Sequence, residues 1–84
     1  MKKAFDLKTW LGENRNVVIS KYEELTKEEF FQGITLAEFM KRVLNQMANN
    51  FPKSEKRAAS LLPTILGNVY FDASNPSAHL HNNL

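Results

Sequence analysis

The sequence contains no cysteine, and only three of its 84 residues are glycine and three are proline. Without cysteine the chain can form no disulfide and offers no thiolate to a metal ion. Three scattered glycines leave no glycine-rich loop of the kind that holds a phosphate group. No apolar run approaches the ~18 residues that cross a bilayer. We therefore expect no membrane-spanning segment and, as the default, a cytoplasmic protein.

Residue types that carry catalysis are also scarce. The two histidines, His79 and His81, stand close together near the C-terminus, and no other histidine is present to serve a hydrolase triad. A zinc site needs three or four ligands, and nothing near these histidines supplies the others. We interpret both as solvent-exposed side chains. The sequence predicts a protein that is not an enzyme and that binds no metal or cofactor.

The composition is that of a folded domain. Hydrophobic residues make up 43% of the chain, charged residues 24% and aromatic residues 11%, which differs from the composition of disordered proteins. A chain of this length forms one small domain, which we assign to residues 1–71, with a mobile polar tail over residues 72–84. The net charge of +2 permits contact with nucleic acid but does not require it.

The pattern Ser/Thr-x-x-Glu occurs three times between residues 20 and 39, beginning at Ser20, Thr26 and Thr35. In such a capping box, the hydroxyl and the carboxylate bind free backbone N–H groups at the start of a helix. Apolar pairs that could form a hydrophobic staple surround Thr26 and Thr35, whereas Ser20 follows three β-branched residues. We therefore predict helix starts at Thr26 and Thr35 and none at Ser20.

These two starts predict a short helix over 27–32 and a longer one over 36–50. Gly33 between them should adopt the left-handed conformation that ends a helix. Apolar residues at spacings of three and four place one stripe along the longer helix. Its members are Leu36, Phe39, Met40, Val43, Leu44, Met47 and then Phe51.

Two further N-caps predict two further helices. Asp6 predicts a short helix over 7–11, and Ser54 predicts a helix over 55–66, each ending at the glycine that follows. Pro63 lies inside the second of these, where a proline costs ~3 kcal/mol or more. Because the apolar stripe continues in phase across Pro63, we favour one kinked helix over two separate ones.

Two short apolar segments, 17–20 and 69–71, are ambiguous between strand, helix and loop. They could pair as a minor two-stranded β-sheet. The predicted fold class is mainly α, a compact small domain of three to four short helices, with this β pair as an open alternative.

Nine aromatic residues are many for so small a core. Phe30 and Phe31 are adjacent, and a six-residue helix cannot direct both into one core. Two explanations remain open: some aromatic side chains lie in a surface patch that binds a partner, or they wrap around the core to increase its buried area. The candidate partner-binding residues among them are Trp10, Tyr22 and Phe31.

Charged residues form two clusters. We interpret the carboxylates at positions 23, 24, 28 and 29 as a solvated helix start, because carboxylates favour that position. The basic side chains of the second half are the remaining candidate partner-binding residues, although exposed Lys and Arg are more often an ordinary solvated face. They are Lys41, Arg42, Lys53, Lys56 and Arg57.

The leading hypothesis is a non-catalytic protein-binding module of the accessory-factor or inhibitor type. It would dock on another protein, or on itself as a homodimer, through aromatic and methionine side chains with a basic rim. The alternative is a dimeric DNA-binding regulator that uses helix 55–66. In that case Lys56 and Arg57 would lie at the N-terminal end of a recognition helix in the major groove.

Overall fold

The computed structural model describes residues 4–75 and contains four helices joined by short connections. The helices account for 72% of this part of the chain, so the mainly α prediction is confirmed. They are α1 (Leu7–Glu13), α2 (Arg15–Leu25), α3 (Leu36–Asn49) and α4 (Glu55–Ser74).

The predicted β pair is wrong. Residues 17–20 lie inside α2 and residues 69–71 lie inside α4, and the described part of the chain contains no strand. Val18 and Leu25 are fully buried, seven residues apart, on one side of α2. Burial of side chains at helical spacing therefore decides the conformation, against the strand preference of the β-branched run.

The predicted helix over 27–32 is also wrong. Thr26 is the C-cap of α2, and its hydroxyl donates to the backbone carbonyl of Glu23 at 2.8 Å instead of capping a new helix. The residues that follow form turns, in which the Glu28 N–H donates to the Leu25 carbonyl at 3.0 Å. Ser20 lies inside α2, as expected of a residue that starts no helix.

Helices α1 and α3 begin at the predicted caps. The Asp6 carboxylate accepts from the Thr9 N–H at 3.3 Å, and the Thr35 hydroxyl accepts from the Glu38 N–H at 3.1 Å. The predicted helix 36–50 is confirmed to within its C-cap residue. The predicted helix 7–11 is correct at its start but continues past Gly12 to the end of α1.

Replacing Thr35 with alanine should lower the free energy of unfolding by about 1 kcal/mol, because the Glu38 N–H loses its acceptor. Replacing Ser20 with alanine should leave stability unchanged or raise it by about 0.5 kcal/mol, since Ser20 is exposed in a helix interior where alanine is preferred. Urea titrations of both variants test this. Equal destabilisation by the two substitutions would contradict the assignment of Thr35 as the cap.

Helix α4 passes through Pro63 without interruption, so the prediction of one helix is confirmed. The predicted end at Gly67 is wrong, and residues 72–74 belong to α4 and not to a tail. The physical reason is a stripe of buried side chains that continues beyond the glycine: Ala58, Leu62, Ile65, Leu66, Val69 and Ala73. The rest of the predicted tail, residues 76–84, lies outside the described residues.

The core lies between α2, α3 and α4, and α1 closes one end of it. Phe39, Val43 and Met47 of α3 are fully buried against α4 and α2. Helix α1 adds Trp10, whose side chain is only 7% exposed and whose ring lies 6.3 Å from that of Phe5. The burial of Trp10 contradicts its assignment to a surface patch.

Within residues 4–75, no helix combines the length and the apolar character that crossing a membrane requires.

Candidate docking surfaces

Two of the predicted aromatic site residues hold the connection between α2 and α3. The Tyr22 hydroxyl donates to the Ile34 carbonyl at 2.6 Å, and the rings of Phe31 and Phe39 lie 6.1 Å and 5.5 Å from the Tyr22 ring. Tyr22 and Phe31 are each half-buried. With Trp10 in the core, the three predicted aromatic residues do not form one exposed patch.

The strongly exposed aromatic residues are not among the candidate partner-binding residues, and one of them, Phe51, was expected to continue the apolar stripe of α3. Phe30, Phe51 and Phe71 are 55%, 77% and 52% exposed. The adjacency of Phe30 and Phe31 indicated that one of the two rings would be exposed, but the wrong one was chosen as a candidate: Phe31 packs against the core while Phe30 is 55% exposed.

The predicted basic residues divide between two places. Lys53, Lys56 and Arg57 are exposed around the start of α4. Lys41 lies in α3, about 12 Å along the helix from its C-terminal end at 1.5 Å per residue. The Arg42 Nε atom lies 3.1 Å from a carboxylate oxygen of Glu38, so that cation is paired within its own helix.

Phe51 follows α3 in the left-handed conformation, with φ of 49°. Its N–H donates to the Ala48 carbonyl at 3.0 Å. Phe51 thus occupies the position just after a helix at which glycine or asparagine is usual. A bulky residue is uncommon there. The Phe51 side chain is exposed, two residues before Lys53.

An open groove of about 270 Å³ runs between α1 and α3. It exists because the apolar stripe of α3 is wider than α2 and α4 can cover, so Met40 and Leu44 remain only partly buried. Gly12 of α1 leaves room on the other side, where a Cβ atom would meet nothing within 4 Å. The lining residues are Lys8, Leu11, Gly12, Ala37, Met40, Lys41 and Leu44.

The rim of this α1–α3 groove is positively charged. Lys8 from α1 and Lys41 from α3 are both exposed, and no carboxylate lines the groove. The ion pairs found among residues 4–75, Lys21–Glu24 and Arg42–Glu38, use neither rim lysine. The groove therefore presents an apolar floor between two cations that form no ion pair with any side chain of residues 4–75.

A second groove, of about 380 Å³, lies between α2 and α4, with Val17, Ala59 and Pro63 among its lining residues. Its one cation is Lys21, whose ammonium lies 4.7 Å from the centre of the Tyr70 ring and 3.7 Å from a carboxylate oxygen of Glu24. Because that charge is already engaged, this groove offers less to select a partner than the α1–α3 groove does.

The acidic cluster lies at a different place from the one expected. Glu23 and Glu24 occupy the last turn of α2, and Glu28 and Glu29 follow in the turn. All four are exposed, but they surround the end of a helix and not its start. The expectation of a solvated helix start is therefore wrong in that respect.

Of the predicted site residues, the structure brings only Lys41 into the α1–α3 groove. Lys8, Leu11, Met40 and Leu44 were missed as site residues. Met40 and Leu44 had been assigned to the core by their spacing, and nothing in the sequence shows that α1 lies opposite them. His79 and His81 fall outside the described residues, within which no group of acidic or histidine side chains is arranged to hold a metal ion.

Comparison of the chain with protein-family models, with curated proteins and with solved structures finds no match in any of the three. The function is therefore argued from the geometry of these surfaces.

Proposed function

We propose that this chain is a small non-catalytic protein-binding module that docks through its α1–α3 groove. The partner it fits is a protein segment in which an apolar side chain is flanked by carboxylates. The observation that carries the proposal is the pair Lys8 and Lys41 on either side of an apolar floor that contains no carboxylate. Unbalanced charge around an apolar patch selects a partner of opposite charge.

The size of the groove supports a side chain as its occupant. At about 270 Å³, it is smaller than the ~300–1,000 Å³ typical of pockets for small molecules. It is also open to solvent along its length. Met40 on its floor has an unbranched, adaptable side chain of the kind common at surfaces that accept apolar residues of different shape.

The direct test uses a synthetic peptide with one phenylalanine between glutamates, titrated into ¹⁵N-labelled protein. We expect chemical-shift changes at Leu11, Met40 and Leu44 and much smaller changes elsewhere. The double variant Lys8→Glu/Lys41→Glu should bind about tenfold more weakly, since two rim charges together contribute on the order of 1.4 kcal/mol. A peptide with lysines in place of the glutamates should bind the double variant more tightly than it binds the wild type.

A matched control separates the groove from general attraction between a basic protein and an acidic peptide. The triple variant Lys53→Glu/Lys56→Glu/Arg57→Glu removes at least as much positive charge, at the start of α4. It should bind the peptide nearly as well as the wild type does. The proposal would be overturned if the two variants lost equal peptide affinity, or if the chemical-shift changes were spread over the whole surface.

The second candidate function is a DNA-binding regulator, acting as a dimer through the start of α4. It is favoured by the exposure of Lys53, Lys56 and Arg57 around the first turn of that helix. Binding to duplex DNA should then weaken steeply with salt, because each phosphate contact releases counterions. The triple charge reversal should abolish this binding, and the reversal of the groove lysines should leave it nearly intact.

A further inference from the structure

The turn after α2 presents an exposed aromatic ring between acidic groups. Phe30 is 55% exposed, and Glu28 and Glu29 precede it directly and are exposed as well. We call residues 28–30 the acidic corner. Over residues 23–30 there are four glutamates and one lysine, so the potential around the Phe30 ring is negative.

The acidic corner is held in place by the residues around it. The Gln32 N–H donates to the Ala73 carbonyl of α4 at 3.0 Å, and the Phe31 ring packs edge-on against Tyr22. On the other side, desolvation of the Tyr70 hydroxyl and the nearby Glu28 carboxylate raise the pKa of Tyr70 above its usual value. Phe30 therefore projects from a turn whose neighbours are fixed, which lowers the entropy lost on docking.

Two further glutamates, just before the acidic corner, lie at an electrostatically unfavourable position within one molecule. Glu23 and Glu24 lie in the last turn of α2, at the negative end of the helix dipole, where a carboxylate is disfavoured. Violations of local preference are expected at functional or strained sites. A cationic partner surface would remove the conflict.

The required surface is present on the same chain. We propose that the occupant of the α1–α3 groove is a second copy: Phe30 of one molecule enters the groove of the next, with Glu28 and Glu29 facing Lys8 and Lys41. This inference rests on the proposed function and names its partner. The two surfaces match in both respects, an aromatic ring against an apolar floor and carboxylates against cations.

The contact joins two different surfaces of the same protein. Phe30 does not line the groove of its own molecule, and more than half of it lies in solvent. A docked pair therefore keeps one unused groove, on the copy that gave its Phe30, and one unused acidic corner, on the other copy. Such a head-to-tail contact continues into a ring or an open chain, in contrast to a two-fold dimer in which one surface meets itself.

The experiment is sedimentation of the full chain from low micromolar to near-millimolar concentration. The wild type should exceed the monomer mass of 9.7 kDa increasingly with concentration, and less so at high salt. Phe30→Ser, which removes the ring of the corner, and Lys8→Glu/Lys41→Glu, which reverses the groove, should each remain monomeric. Phe71→Ser is the matched control, because Phe71 is similarly exposed, at 52%, and should associate as the wild type does.

Mixing the two defective variants gives the sharpest result. Phe30→Ser keeps its groove and Lys8→Glu/Lys41→Glu keeps its acidic corner, so one contact can form between them. The mixture should reach twice the monomer mass and stop there. A variant that combines Glu28→Lys/Glu29→Lys with the groove reversal should recover self-association, since both signs are exchanged.

Several outcomes would overturn the inference. These are a wild type that stays monomeric throughout, a Phe30→Ser variant that associates normally, or a mixture that shows no heterodimer although circular dichroism shows both variants folded. Binding of the acidic phenylalanine peptide distinguishes the two levels of the proposal. If the peptide binds in the groove while the wild type is monomeric, self-docking is wrong and the proposed function stands; if neither occurs, both are wrong.

Discussion

Replacing Phe39 with alanine should lower the free energy of unfolding by about 3–5 kcal/mol, enough to unfold much of the population in water. Phe39 is the largest of the fully buried side chains, and its ring lies 5.5 Å from that of Tyr22. The substitution removes apolar contacts and leaves a cavity that rigid neighbouring helices can only partly fill. Small domains have total stabilities near the low end of about 5–15 kcal/mol, so this loss is a large part of the whole.

Urea unfolding followed by circular dichroism measures the effect, and Phe51→Ala and Phe71→Ala supply matched controls. The same atoms are removed in all three variants, but the control side chains are mostly in solvent, so each control should lose no more than about 0.5 kcal/mol. A Phe39→Ala variant that unfolds cooperatively within 1 kcal/mol of the wild type would contradict the assigned core.

The helix starts were predictable from the sequence because a cap is a local interaction. Asp6, Thr35 and Ser54 each accept a hydrogen bond from the backbone N–H three residues later. Nothing beyond the first helical turn is needed to form it. The same pattern at Thr26 was misleading because Leu25 is buried by residues distant in sequence, which extends α2 over the position where a new helix was expected.

The helix ends and the groove depend on tertiary packing and were predicted poorly. Gly12 and Gly67 were expected to end helices. Helix α1 continues only one residue past Gly12, whereas burial of Val69 and Ala73 continues α4 across Gly67. Burying such side chains gains more than the ~1 kcal/mol that a helical glycine costs. The position of Lys8 opposite Lys41 also depends on how α1 packs against α3, so no spacing of residues in the sequence could predict it.

Pro63 is where local preference and tertiary packing conflict most strongly, and its replacement with alanine should stabilise the protein by about 2 kcal/mol. A proline in a helix interior costs about 3 kcal/mol relative to alanine. It has no N–H to donate to the Ala59 carbonyl one turn earlier. Alanine restores that donor. Part of the gain, about 0.4–1 kcal/mol, is offset because the unfolded chain becomes less restricted.

Pro63 is exposed, so its removal should cost little packing. For a domain of this size, 2 kcal/mol corresponds to a rise in melting temperature on the order of 10 °C. Gly67→Ala is the matched control: it lies one turn further along the exposed side of α4, has open space for a Cβ atom, and should add at most about 1 kcal/mol. A Pro63→Ala variant no more stable than the wild type would mean that α4 has adapted its backbone to the proline. In that case the Ala59 carbonyl accepts a hydrogen bond from another donor. Pro63 would then not destabilise α4, and burial of the apolar stripe would not be needed to keep the helix continuous.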